Sequence, residues 1–200
     1  MNDTLTYAMG FPEALRPEAA ELYDQAFGEK LALAIPSRGE RLALLTECLV
    51  PGFAISAARN GVLVGLAGYH TADGSLTGGL TARRLLARLG VFRGCRAACV
   101  LSLYERHPEP GELVMDGIAV RGDMRGRGIG GQLLDQLASY ARDHGFGRIR
   151  LDVIDTNSAA RRLYQRKGFV AVHTERIPYL RWLFGFGAAT RMERRVASAA

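Results

Sequence analysis

Lysine, cysteine and long apolar runs are all scarce in this chain. Its three cysteines, Cys48, Cys95 and Cys99, are an odd number in 200 residues, so no disulfide framework is indicated. Cys95 and Cys99 have the i,i+4 spacing of a helix face, but no histidine pair completes a zinc site. They read as buried free thiols, and no metal is expected. A reducing, cytoplasmic setting fits. No segment approaches the ~18 uncharged apolar residues of a membrane helix. The longest charge-free stretch, 60–72, is broken by Gly65 and His70. The N-terminus has no basic region followed by an apolar one, so no signal peptide is expected. Only Lys30 and Lys167 are lysines; arginine carries the rest of a formal net charge of +6. That excess favours anionic partners without choosing among phosphate-bearing cofactors, nucleic acid and acidic membranes.

What is present is ordinary globular material, 48% hydrophobic and 23% charged, enough for one domain with a sizeable core. Residues 5–11 read as a first strand. Helical spacing follows over 18–31 (Ala19, Leu22, Tyr23, Ala26, Phe27) and over 38–48 (Leu42, Leu45, Leu49). Asn60-Gly61 predicts a tight hairpin between strands at 54–58 and 62–69. The stretch 81–106 carries six arginines against Glu105, with Leu85, Leu86, Leu89 and Phe92 at helical spacing interrupted by Gly90 and Gly94. It reads as one broken helix or two short ones, with a solvated face beside a packed one. Strands at 112–120 and 148–154 alternate with helices at 128–144 and 157–167. Final strands are expected at 169–174 and 188–196. Hairpins mixed with strand-helix-strand units predict a mixed α/β sheet with helices on its faces.

Chemistry concentrates where the strand ending at Val120 runs through Arg125-Gly126-Arg127-Gly128-Ile129-Gly130 into a helix. The first amides of a helix have no partner within it and point at the positive end of its dipole, which makes an anion site. The glycines remove side chains that would hold a phosphate away, and Arg125 and Arg127 add charge. A pyrophosphate is the natural ligand. A P-loop is excluded because no Gly-Lys-Ser/Thr follows. A dinucleotide turn is disfavoured because the acid it calls for, Asp152, lies near the start of its strand.

A second segment follows: Asn157, Ala160, Leu163, Tyr164, Gly168 and Phe169. Together with Arg125, Gly128 and Gly130, it resembles the GNAT superfamily of N-acetyltransferases. The later segment matches Asn-x-x-Ala-x-x-Leu-Tyr-x-x-x-Gly-Phe, the earlier one Gln/Arg-x-x-Gly-x-Gly/Ala. The strong resemblance covers about 112–170. It implies one GNAT-fold domain over 1–200, with a basic helical insertion at about 79–108. It also implies parallel strands at 112–120 and 148–154 that splay to admit acetyl-CoA. Backbone at Ile118, Ala119 and Val120 would hold the pantetheine and acetyl carbonyl. Amides of Arg125, Gly126, Arg127, Gly128, Ile129, Gly130 and Gly131 would hold the pyrophosphate, and Asn157 would bridge to the cofactor or cap its helix.

The implied reaction is direct attack of a primary amine, on a small molecule or a peptide, on the thioester. Tyr164 is by resemblance the acid for the departing thiolate. Asp116, in an otherwise apolar run, is the base or a structural acceptor, since a buried carboxylate needs a partner or a function; Glu112 and water are weaker candidates. The competing classes are an acyl-CoA-binding module without turnover and a nucleic-acid binder built on the basic stretch. No aromatic-basic interleaving supports the latter, and no nucleic-acid partner is expected. A homodimer is compatible with all of this.

Overall fold

The computed structural model describes residues 4–102, 107–176 and 185–196. Among these residues eight strands form one mixed sheet: β1 (Leu5–Met9), β2 (Ala54–Arg59), β3 (Val62–Thr71), β4 (Gly74–Ser75), β5 (Glu112–Val120), β6 (Arg148–Ile154), β7 (Val170–Arg176) and β8 (Ala188–Arg195). Their order is β1-β2-β3-β5-β6-β8-β7, with β4 paired to β3. Asn60 and Gly61, at φ 53° and 80°, supply the two left-handed residues that a tight β2–β3 turn requires. Only β5 and β6 run parallel; their connection contains a helix, as a parallel crossover requires. The edge strand β7 is exposed along its whole length.

Among the described residues six α-helices flank the sheet: α1 (Arg16–Ala34), α2 (Arg38–Cys48), α3 (Ala82–Leu89), α4 (Val91–Ser102), α5 (Ile129–Asp143) and α6 (Ser158–Arg166). Their starts are written in the sequence. Ser37, Thr81 and Asn157 each accept a first-turn amide from Glu40, Arg84 and Ala160, and such caps are worth about 0.5–2 kcal/mol each. On one face, α5 lays Ile129, Leu133, Leu134 and Leu137 over Val64, Met115 and Leu151. On the other, α1 and α2 lay Leu22, Tyr23, Leu45 and Leu49 over Leu63, Leu66 and Ala119. Each buried leucine contributes on the order of 1.5–3 kcal/mol. Asp24 and Arg41 lock α1 to α2 through a buried ion pair of 2.8 Å, and Arg41 also donates to the Ile35 and Pro36 carbonyls between the helices.

The basic stretch becomes two helices parted at Gly90, whose φ of 78° suits glycine alone. Leu85, Leu89 and Ala97 join Ala34, Leu44 and Cys48 in a third cluster. Gly94 lets α4 approach the α3 backbone: a Cβ there would lie 2.7 Å from the Leu86 Cα. Three of the arginines fasten this pair of helices to α1 and α2. Arg88 and Arg93 pair with Glu47 and Glu40, and Arg96 donates to the Leu33 and Ala34 carbonyls at the end of α1. Two expectations are corrected here. Cys95 and Cys99 are exposed, and only Cys48 is buried, because α4 turns Gly94 and Ala97 inward instead. Phe92 is 92% exposed, because it lies past the Gly90 break and no longer continues the α3 stripe.

Candidate active site

Strands β5 and β6 pair over three residues only, Glu112↔Arg148, Leu113↔Ile149 and Val114↔Arg150. Beyond Val114 they part. A buried charge cluster holds the closed end: Glu112, with its side chain fully buried, meets Arg148 at 3.0 Å and Arg150 at 3.1 Å. Its carboxylate also accepts the Glu109 amide. Glu112 is thus removed from the candidate bases; it sits at the closed end, saturated with partners.

The opening begins at a β-bulge. Across from β5, Tyr69 pairs with Met115 and Gly68 with Gly117, so Asp116 is the extra residue. Met115 belongs to the core under α5, while Asp116 and Gly117 both turn toward α1. Gly117 is required there: a Cβ on it would lie 2.2 Å from the Phe27 Cζ, well inside contact distance. The bulge therefore sets Asp116 against α1 and bends β5 away from β6, as bulges do.

Past the bulge, the edge of β5 that faces β6 has lost its partner. The Arg121 amide bonds the Val64 carbonyl of β3. By the alternation of an antiparallel ladder, Ala119 turns its backbone to β3 as well, and Ile118 and Val120 turn theirs to the gap. Ala119 thus leaves the expected cofactor-binding set; its side chain packs under α1. The Val120 carbonyl, on the gap side, already takes a bond from Arg125 Nε at 3.2 Å.

The glycine turn closes the open end. Gly126 and Gly128 are left-handed, at φ 77° and 79°, and Gly128 is the residue from which α5 starts. The amides of Ile129, Gly130 and Gly131 begin the helix without intrahelical acceptors. At Gly130 a Cβ would meet Leu163 at 3.3 Å, Ile118 at 3.8 Å and Val120 at 3.9 Å, so the helix start abuts both the gap edge and α6. Arg121, Arg125, Arg127 and Lys167 surround the turn. Arg121 binds Asp123 and holds its carboxyl below the usual range, and Lys167 pairs with Asp135.

Tyr164 is 7% exposed, one residue from the Leu163 that touches the helix start. Its ring centroid lies 5.9 Å from that of Phe169, and burial pushes its phenol up to about 12. A phenol so placed keeps its proton near neutrality and can donate it. Asn157 caps α6 through Oδ1, at 3.1 Å from the Ala160 amide, which is the structural one of its two expected roles.

On the α1 side of the gap lies a cavity of about 770 Å³, walled by α1, the β3–β4 hairpin, α3 and α4. Asp116 stands at its floor, with Asp152 of β6, His70, Phe27 and Lys30 around it. The sequence did not point to Phe27, Gly117 or the cavity role of Asp152. Only the Asp-Gly pair in an apolar strand was a usable signal for the bulge. Among the described residues, no group of side chains could hold a metal ion, and no helix is long and apolar enough to cross a membrane.

Residues 16–169 match the acetyltransferase (GNAT) family model. A streptothricin acetyltransferase of Streptomyces lavendulae is 39% identical over 57 residues, which span 28% of this chain and 30% of that protein. Two solved structures share the fold over nearly the whole length of both chains. The ribosomal-protein-S18-alanine N-acetyltransferase of Escherichia coli superposes with a TM-score of 0.58 at 17% identity, covering 98% of this chain and 97% of that one. A Salmonella typhimurium protein solved with acetyl-CoA, its cofactor, superposes at 0.60 and 17% identity, covering 98% and 96%. A parted parallel strand pair, a glycine turn at a helix start and a family match spanning both lead to one conclusion: the chain belongs to the GNAT acetyltransferase family.

Proposed function

We propose that the protein transfers the acetyl group of acetyl-CoA to a primary amine by direct attack. The observation that carries this reading is the gap between β5 and β6, with the glycine turn at its open end and Asp116 on the cavity floor at its bulge. Amides of Ile129, Gly130 and Gly131 would hold the pyrophosphate, and the gap-side backbone of Ile118 and Val120 would hold the pantetheine and the acetyl carbonyl. These residues fit the cofactor: Gly130 leaves the helix start bare against the gap edge. When bound, acetyl-CoA supplies the electrophilic carbonyl and a thiolate leaving group. On the other side of the gap, the acceptor enters the cavity. Asp116 takes the amine's proton as its nitrogen bonds to the carbonyl carbon. Tyr164 gives its proton to the sulfur as the carbon–sulfur bond breaks. The local likeness to a streptothricin acetyltransferase supports a small-molecule acceptor.

The test is coenzyme A release with a panel of amines. Wild type releases coenzyme A in proportion to acetylated amine. Asp116→Asn lowers kcat/KM at pH 7 by about 10²–10⁴, the usual span for a lost general base, and the deficit shrinks at alkaline pH as more amine arrives unprotonated. Tight acetyl-CoA binding without turnover of any amine would favour a binding module and sink the enzyme reading.

A further inference from the structure

The α3–α4 pair has an outer surface that acyl transfer does not use. Phe92 is 92% exposed and its neighbour Val91 68%. Among the described residues no other large apolar side chain is as exposed as these two. They open α4 just past the break at Gly90. Phe92, Cys95 and Cys99 then recur at i, i+3 and i+7, all exposed, on the side turned away from the buried Gly94 and Ala97. Residues at that spacing share one face of a helix, and a free thiol counts as a small apolar group. The helix thus buries one apolar face in the third cluster and turns a second to solvent. A single exposed apolar side chain needs no explanation; a contiguous group of them does.

The same two helices carry positive charge. Residues 74–104 hold five arginines and no acid. Arg83 is exposed and, among the described residues, bonds no carboxylate. Arg88 and Arg93 meet Glu47 and Glu40, yet their side chains remain 52% and 54% exposed. Half-exposed pairs of this kind bind their partners weakly, so both guanidiniums stay within reach of anions in solvent. Counting Glu40 and Glu47 against the five arginines leaves three positive charges. A second copy docked on this surface would set like charges face to face. Duplex nucleic acid would take up the arginines and leave the ring in water. An anionic bilayer satisfies both, since its charged headgroups overlie an apolar boundary within reach of one side chain.

We propose that the α3–α4 pair is a docking surface for an anionic lipid bilayer. Val91 and Phe92 enter the boundary between headgroups and acyl chains, and the arginines lie against the headgroups. Each half is weak alone. A few cations hold a protein near an anionic surface only while salt is low. One or two apolar side chains bury too little area to hold it unaided. Together they give a peripheral, reversible attachment of the kind that amphipathic basic segments make. Neither Asp116 nor the glycine turn takes part, so this proposal stands apart from the acetyltransferase reading.

Flotation of the full chain with lipid vesicles tests this. One set is phosphatidylcholine alone, and the other is about one-third phosphatidylserine, both at about 0.1 M salt. Wild type is expected to bind the anionic vesicles at least about tenfold more tightly than the neutral ones. Arg83→Ser should weaken that binding about fivefold, and Phe92→Ala about tenfold. Phe92 faces solvent, so Phe92→Ala should leave the unfolding temperature and acetyl-CoA binding unchanged. Phe92→Trp should keep the binding, and its added fluorescence should shift to the blue with anionic vesicles only. Equal affinity for the two vesicles overturns the proposal, as does Phe92→Ala binding as tightly as wild type. Duplex DNA or polyglutamate bound more tightly than the anionic vesicles overturns it too, in favour of a nucleic-acid or acidic protein partner. Wild type that ignores the vesicles but self-associates through Phe92 in sedimentation velocity assigns the surface to a second copy instead.

Discussion

At Tyr164 two demands meet on one side chain. Its ring packs in the core under α5, and its hydroxyl is the proposed proton donor. Replacing it by phenylalanine keeps the ring, so Tyr164→Phe should leave acetyl-CoA binding intact and lower kcat by about 10² or more. The same variant has a separate signature in stability. The phenol's pKa rises from 10.0 to about 12 on folding, so the folded state favours the neutral form. That contribution is whole below pH 10 and is lost as pH climbs toward 12. Denaturation midpoints measured from pH 9 to 12 should fall less steeply in Tyr164→Phe than in wild type. The thiols give a second check at this scale. Cys95 and Cys99 are exposed and Cys48 is buried, so two of three cysteines should react with maleimide in the folded protein. Because Cys99 lines the cavity, acceptor should slow its labelling and leave Cys95 unchanged.

Among the elements, β5 carries the site, and its bulge depends on a gap that a neighbouring ring fills. Gly117→Ala should cost about 1–3 kcal/mol, the usual penalty for overpacking, and should lower activity by shifting Asp116. Adding Phe27→Leu removes the ring atoms that the new methyl meets, so the pair should be less damaged than the sum of the single changes. The α1–α2 unit that presents Phe27 relies on Asp24 and Arg41. Asp24→Ala leaves a buried guanidinium without its carboxylate and should lose about 3–5 kcal/mol in chemical denaturation. Much of this architecture is legible in the sequence. The spans of α2, β5 and β6 are readable to the residue, since Ser37, Pro51, Gly111 and Gly145 mark turns and caps nearby. The glycine turn at the start of α5 is legible for the same reason: it is local. The bulge is not, because inserting Asp116 leaves no local mark beyond a polar residue and a glycine. Nor is the cavity, whose walls come from α1, β3, α3, α4 and β6 and meet only when folded. Cys95 and Cys99 were misread because helical spacing says that two residues share a face, not which face a neighbour covers.

Across the whole molecule, the sheet separates two approaches. The glycine turn and α5 lie on one side, the cavity and α1 on the other, and the gap between β5 and β6 is where they meet. In the proposed reaction two substrates arrive from opposite sides, are bound at once and need no covalent relay through the protein. Initial-rate plots against both should therefore intersect, as for a ternary complex, and no acetylated protein should accumulate with acetyl-CoA alone. Parallel lines would point to a ping-pong route. Everything on that meeting ground follows from one residue more than regular pairing needs. Up to Met115, odd-numbered side chains of β5 face α5; from Ile118 onward the even-numbered ones do. The strand changes parity once, at Asp116, so its two halves are out of phase like a reading frame after an insertion. Deleting either Asp116 or Gly117 would restore a single phase. Every residue downstream would keep the side it now faces, so removing Gly117 should leave the fold standing and cost activity instead, by straightening the bend that sets Asp116 on the cavity floor.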